Sequence, residues 1–257
     1  MRRGHVRFVR VPCLRLSVPQ AKSQARNWGH VPKVHVPYFL YTGNVGSDYT
    51  LYLVADADYA AGRDLAALVE TAVEGGVTIV QLRGKNLLHG AFVELGRTIA
   101  GRLAPRGVPI LVNDRPDVAL ACGASGVHLG QDDIPVALAR RLLGPKATIG
   151  VSVNTPDEAV RAEAEGADYV GAGPAYATST KSTDLAVLGP EGVGRIVGAT
   201  RLPVVAIGGI TAANAAPLAA SGARGIAVVS AILGAPDARR AAEDLLSAFQ
   251  RTSQRRV

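Results

Sequence analysis

From Leu51 onward, short apolar or β-branched runs alternate with stretches whose apolar residues recur at helical spacing, and this alternation leaves few folds open. Runs that are apolar throughout, rather than at every second position, belong to strands buried on both faces, as parallel sheets require. They fall at 51–55, 78–83, 109–113, 126–129, 148–152, 169–171, 204–207 and 225–229. Between the first two, Leu65, Leu68, Val69 and Val73 stand at i, i+3, i+4 and i+8, and Gly75-Gly76 follows where a helix C-cap favours glycine. Thr155-Pro156-Asp157-Glu158 opens another helix with a cap residue, a first-turn proline and acids at the positive end of the dipole; Glu165-Gly166-Ala167-Asp168 closes it. Eight such βα units predict an α/β chain folded as a closed (β/α)8 TIM barrel over 49–250, in preference to an open doubly wound sheet.

The 257 residues, 48% of them hydrophobic, suffice for a full barrel core. The formal charge of +7 invites a nucleic-acid reading, so its distribution matters. Residues 1–47 hold eight basic residues and no acid, which leaves 20 of the 28 Lys and Arg against 21 Asp and Glu in the rest. The excess belongs to the N-terminus, and no basic face interleaved with aromatics remains to bind nucleic acid. Residues 1–48 read as a basic, poorly ordered extension, and 251–257 as a C-terminal tail. Arg content and lack of acids also permit a transit peptide, although Pro12, Pro19, Pro32 and Pro37 interrupt any long amphipathic helix. Cys13 and Cys122 form no disulfide framework, and no run approaches the ~20 apolar residues of a membrane span. The expectation is a cytoplasmic protein with small-molecule partners, no nucleic acid and no membrane, and with homo-oligomerisation left open.

Four polar clusters close predicted strands and so converge on the C-terminal mouth of the barrel, where active sites of this fold lie. Gln81, Arg83 and Lys85 alternate at the end of the second strand, which sends all three side chains toward the axis. Arg forks onto phosphate oxygens, Lys adds a point charge, and Gln reaches a heteroaromatic ring or a phosphate. Asp114, after Asn113, and Asp133, in Gln131-Asp132-Asp133, bring two carboxylates to neighbouring strand ends, a hard-oxygen set suited to Mg²⁺. One of these acids, Asp132 first, also reads as a helix cap before Ile134-Pro135. Thr178, Thr180 and Lys181 lie in a Ser/Thr-rich stretch, 174–189, that lacks a helical pattern and is long enough for a lid. Gly208-Gly209 and Val229-Ser230 follow strands seven and eight, where backbone N–H groups commonly cradle a phosphate. Ser152 reads as a ligand hydrogen-bonding residue. His128 reads either as a base or as a hydrogen-bonded structural histidine.

Taken together, Gln81-x-Arg83-x-Lys85, Val112-Asn113-Asp114, Gly126-Val127-His128-Leu129-Gly130-Gln131-Asp132-Asp133, Gly171-Ala172-Gly173-Pro174, Thr178-x-Thr180-Lys181, Ile207-Gly208-Gly209-Ile210 and Val229-Ser230 resemble the thiamine-phosphate synthase family over residues 50–247. The resemblance implies a Mg²⁺-dependent transferase that joins hydroxymethylpyrimidine diphosphate to a thiazole phosphate, releasing pyrophosphate. It implies that Gln81, Arg83, Lys85, Asn113, Ser152 and Lys181 bind the pyrimidine diphosphate, with Arg83, Lys85 and Lys181 catalytic. Asp114 and Asp133 would hold the metal, and Thr178, Thr180, Gly209, Val229 and Ser230 the thiazole phosphate. Gly84 and Ala177 depart from the residues common in the family, which bears on loop rigidity. A thiazole tautomerase-like isomerase and a non-catalytic thiamine-phosphate binder are the alternatives on the same barrel.

Overall fold

The structure, a computed structural model, describes residues 48–178, 180 and 185–253. The strands are β1 (Leu51–Asp56), β2 (Ile79–Arg83), β3 (Ile110–Asn113), β4 (Gly126–Leu129), β5 (Thr148–Val153), β6 (Tyr169–Ala172), β7 (Val204–Ile207) and β8 (Gly225–Val228). All pair in parallel, and β1 pairs with β8 through Tyr52 and Ala227, so the sheet closes on itself in chain order. The helices are α1 (Leu65–Glu74), α2 (His89–Leu103), α3 (Pro116–Cys122), α4 (Val136–Leu143), α5 (Pro156–Ala164), α6 (Gly189–Ala199), α7 (Ala216–Ala220), α8 (Ser230–Leu233) and α9 (Ala238–Ser253). This is the expected (β/α)8 barrel, with α8 as a short extra turn between β8 and the last helix. The basic extension, Cys13 and the end of the C-terminal tail lie outside the described residues.

Local sequence explains the boundaries. Asp64 caps α1 by accepting from the Ala67 N–H, and the helix ends at Gly75 before Gly76 at φ 103°. Thr155 and Glu158 form a reciprocal capping box around Pro156 at the start of α5. The two-residue period of the strands then divides their side chains. Leu53, Ala55, Val80, Leu82, Val112 and Val127 join the layer between barrel and helices, while Tyr52, Val54, Ile79, Leu111, Tyr169, Val205 and Ala227 fill the interior. Three buried residues among those described are polar or charged, namely Asp56, Gln81 and His128. Each lies on a strand that leads to the C-terminal mouth.

Candidate active site

The strand ends open on a cavity lined by Gln81, Arg83, Asn113, Ser152, Thr178, Thr180, Gly209, Val229 and Ser230. Nine residues expected from the sequence thus share one wall, although they come from β2, β3, β5 and the segments after β6, β7 and β8. Lys85, Asp114 and Asp133 are not part of that wall. They gather beside it, with Asp114 directly following Asn113, and the Lys85 ammonium pairs with the Asp114 carboxylate. The strict alternation expected through Lys85 stops at Arg83, where β2 ends; beyond that point loop geometry, rather than the pleat, directs the side chain. Lys181 lies outside the described residues.

Arg83 has a partner that the sequence reading did not single out. Its guanidinium pairs with Asp56, whose carboxyl is buried at the end of β1. The other oxygen of Asp56 accepts from the backbone N–H groups of Asp58 (3.0 Å) and Tyr59 (3.1 Å). Asp58 in turn accepts from the backbone N–H of Lys85 at 2.9 Å. The first loop therefore fixes both the fork of Arg83 and the backbone that carries Lys85. In the sequence, Asp56-Ala57-Asp58 is indistinguishable from an ordinary polar turn after an apolar run.

Asp114 adopts φ 61°, a left-handed conformation that Asp tolerates better than most residues, and its N–H donates to the His128 carbonyl at 2.8 Å. This backbone geometry turns its carboxyl toward Lys85 and Asp133. Burial opposes ionisation of Asp114, but the Lys85 ammonium and a hydrogen bond with Asp133 outweigh it and hold the carboxyl below its usual range. Asp133 responds in the opposite direction, since burial and the neighbouring Asp114 push its carboxyl up. Two carboxylates drawn together beside a cation are a set that a divalent ion would relieve. Among the described residues no group of three or more His, Cys, Asp or Glu forms a cage. A two-carboxylate site suits Mg²⁺, which keeps waters and takes phosphate oxygens. The alternative capping role fails, because α4 starts after Pro135 with no side-chain cap, and Asp133 instead accepts from the Gly130 N–H at 2.6 Å.

On the opposite side, Gly208 and Gly209 follow β7 at φ 104° and 65°. A Cβ at 209 would lie 2.3 Å from the Ala177 carbonyl oxygen, so glycine is required here by the close passage of the loop after β6. Asn214 holds the arrangement from behind: its amide donates to the Gly209 carbonyl (2.9 Å), and its own carbonyl accepts from the Tyr176 hydroxyl (2.8 Å). Thr180 reaches the Ser230 hydroxyl at 3.5 Å, which brings the loop after β6 to the start of α8. The hydroxyls of Thr180 and Ser230 thus converge with the glycine backbone where strands seven and eight end.

The cavity floor is a chain of polar side chains inside the barrel. Gln81 Nε2 donates to the Tyr52 hydroxyl at 2.7 Å, and that hydroxyl lies 2.9 Å from the hydroxyl of Tyr169. Tyr169 also meets His128 Nδ1 at 2.8 Å, and His128 Nε2 lies 2.9 Å from Ser152 Oγ. Burial raises the pKa of both phenols, which keeps them protonated as hydrogen-bonding groups. Room for the rings comes from adjacent strands: a Cβ at Gly150 would stand 2.1 Å from Tyr169 Cζ, and one at Gly171 3.1 Å from His128 Cε1. Of the two readings of His128, the structure supports the hydrogen-bonded one.

A family model described as thiamine monophosphate synthase matches residues 51–232. A thiamine-phosphate synthase from Chloroflexus aurantiacus is 46% identical over 208 residues, covering 81% of this chain and 96% of that protein. One from Albidiferax ferrireducens is 50% identical over 187 residues, covering 73% and 85% respectively. Among solved structures, a thiamine phosphate pyrophosphorylase from Pyrococcus furiosus superposes with a TM-score of 0.74 at 38% identity, covering 81% of this chain and 99% of that one.

Proposed function

The chain belongs to the thiamine-phosphate synthase family, transferases of thiamine biosynthesis that form thiamine phosphate, and we propose that it does so by condensing hydroxymethylpyrimidine diphosphate with a thiazole phosphate and releasing pyrophosphate. The observation that carries this reading is the joint placement of nine expected residues on one cavity, with the Lys85, Asp114 and Asp133 cluster beside it.

The two substrates divide the mouth. Gln81, Asn113 and Ser152 orient the pyrimidine over the tyrosine floor, and Arg83, Lys85 and Lys181 take the diphosphate. Thr178, Thr180 and the backbone at Gly209, Val229 and Ser230 receive the thiazole phosphate. Asp114 and Asp133 would hold Mg²⁺, which when bound neutralises phosphate oxygens and stabilises charge on the departing pyrophosphate.

The bond from the pyrimidine methylene to the diphosphate oxygen breaks first, and its electron pair leaves with pyrophosphate. Arg83, fixed by Asp56, and Lys85 stabilise that growing charge. The thiazole nitrogen then supplies its lone pair to the ring-stabilised methylene cation and forms the C–N bond. No proton has to be removed, in keeping with a wall of cations, amides and hydroxyls. Holding both rings in line removes the entropy cost of their encounter, and the buried Tyr52 and Tyr169 floor keeps water from the cation. We assign the reaction to the cytoplasm, an assignment supported by the lack of a cysteine framework; among the described residues no helix is long and apolar enough to cross a membrane.

Purified protein incubated with both substrates should yield thiamine phosphate and pyrophosphate in equal amounts, and removal of Mg²⁺ should abolish both. Binding of either substrate without product formation would refute the catalytic reading.

A further inference from the structure

The hydrogen bonds under the cavity have a property that no single one of them has. Gln81, Tyr52, Tyr169, His128 and Ser152 are linked end to end at 2.7, 2.9, 2.8 and 2.9 Å. Each of the three middle groups offers one hydrogen along this line: a phenol has one, and a neutral imidazole carries one on either Nδ1 or Nε2. We propose that Tyr52, Tyr169 and His128 act as positioning residues that couple the Gln81 amide to the Ser152 hydroxyl, so that both ends present one fixed donor and acceptor pattern to the pyrimidine. This inference rests on the assignment of Gln81 and Ser152 to that substrate.

The direction follows from the first link. Gln81 Nε2 donates to Tyr52, so the Tyr52 hydrogen is free to go to Tyr169. The Tyr169 hydrogen then goes to His128 Nδ1, which must be the unprotonated nitrogen. His128 consequently carries its hydrogen on Nε2 and donates to Ser152 Oγ, and the serine hydrogen is left to point at a ligand. Gln81 meanwhile keeps Oε1 as an acceptor. Reversing one link alone would set two hydrogens or two lone pairs face to face in a buried site, so the chain reverses only as a whole. The result suits a ring that offers a donor at one edge and an acceptor at another. The packing is built for this line: β4, β5 and β6 place Gly150 as register partner of both His128 and Tyr169, and its missing side chain admits the phenol.

The test reads the tautomer of His128 by ¹⁵N chemical shifts in the ligand-free full chain at pH 8, with the signal assigned from its loss in His128→Gln. The unaltered protein should show a pyrrole-like Nε2 and a pyridine-like Nδ1. In Gln81→Glu, whose carboxylate only accepts, the hydrogen should move from Nε2 to Nδ1, three links along the chain. In Tyr52→Phe, which keeps the ring and cuts the chain, the two tautomers should mix, and the KM for the pyrimidine diphosphate should rise roughly five- to tenfold with the KM for the thiazole phosphate unchanged. If His128 keeps Nε2–H in both variants, the coupling is refuted. Because the tautomer is read without substrate, that failure is separate from a failure of the substrate assignment, which appears as loss of pyrimidine diphosphate binding by the unaltered protein.

Discussion

Replacing Gly209 with alanine tests the proposed thiazole phosphate site through its backbone. At φ 65° an alanine costs roughly 1–2 kcal/mol, because its Cβ crowds the following carbonyl. The new Cβ would also lie 2.3 Å from the Ala177 oxygen and 2.9 Å from Tyr176 Cβ. Ordinary contact lies about 1 Å further out, so the loop after β6 has to retreat by about that distance. Rigid support from Asn214 opposes a compensating shift of Gly209 itself. Relief of the clash adds about 1 kcal/mol, for a total of about 2–3 kcal/mol, or a Tm lower by about 4–12 °C for a domain of this size. The retreating loop carries Thr178 and Thr180 away from Ser230. A misplacement of about 1 Å is worth up to ~10²-fold in rate, so kcat/KM for the thiazole phosphate should fall by one to two orders of magnitude. Stopped assays that vary each substrate in turn, combined with thermal melts, give both numbers. A variant with unchanged Tm and unchanged kcat/KM for the thiazole phosphate would refute the reasoning, since neither the strained backbone nor the close contact would then constrain the site.

Asp56→Asn leaves the Arg83 guanidinium without its fixed carboxylate. It should cost about 2 kcal/mol of stability in denaturant melts, less than a fully buried pair because the Arg83 side chain is 20% exposed, and should lower kcat/KM for the pyrimidine diphosphate at least tenfold. Asp114→Ala should raise the Mg²⁺ concentration needed for half-maximal rate at least tenfold; intact turnover with intact Mg²⁺ dependence rejects the metal assignment. The Thr200 hydroxyl and Arg201, both donating to Glu163, lower its pKa from the ordinary 4.5 to about 2. Its folded value lies below its unfolded one, so its stabilising effect is present above pH 4.5 and lost as pH falls toward 2; the Tm gap between the unaltered protein and Glu163→Gln should close over that window. A chain begun at Asp48 should fold and turn over as the full chain does, as measured by melts and product formation.

The barrel was legible because its strands are apolar throughout and its helices carry recognisable ends. Observed strands fall within one residue of the predicted runs; Val229, read as the end of the eighth, instead precedes α8. Polar residues that break an apolar run, such as Gln81 and Arg83, announce themselves. Residues that continue the run do not, which is why Tyr52 and Tyr169 read as plain core although their hydroxyls support the site. Asp56 was hidden for the converse reason: a carboxylate after a strand looks like a turn, and only the fold brings Arg83 to it. The two carboxylates at the ends of β3 and β4 were read together because the strands are neighbours, whereas the pairing of Asp114 with Lys85 involves the left-handed backbone at Asp114, for which no sequence signal exists.

The pairing of Arg83 with Asp56 and of Lys85 with Asp114 has a consequence for how a polyanion arrives. Each described cation of this group is already matched by a carboxylate, so the ligand-free mouth exerts little long-range pull, and encounter should depend only weakly on ionic strength. A bare diphosphate meets the carboxylates of Asp56, Asp114 and Asp133 against the two described cations Arg83 and Lys85 there. On the proposed assignment of Asp114 and Asp133 to a divalent cation, a diphosphate that arrives already complexed with that cation would carry the charge that loosens Lys85 from Asp114, and the mouth would then favour the metal-bound form of its substrate before any chemistry begins.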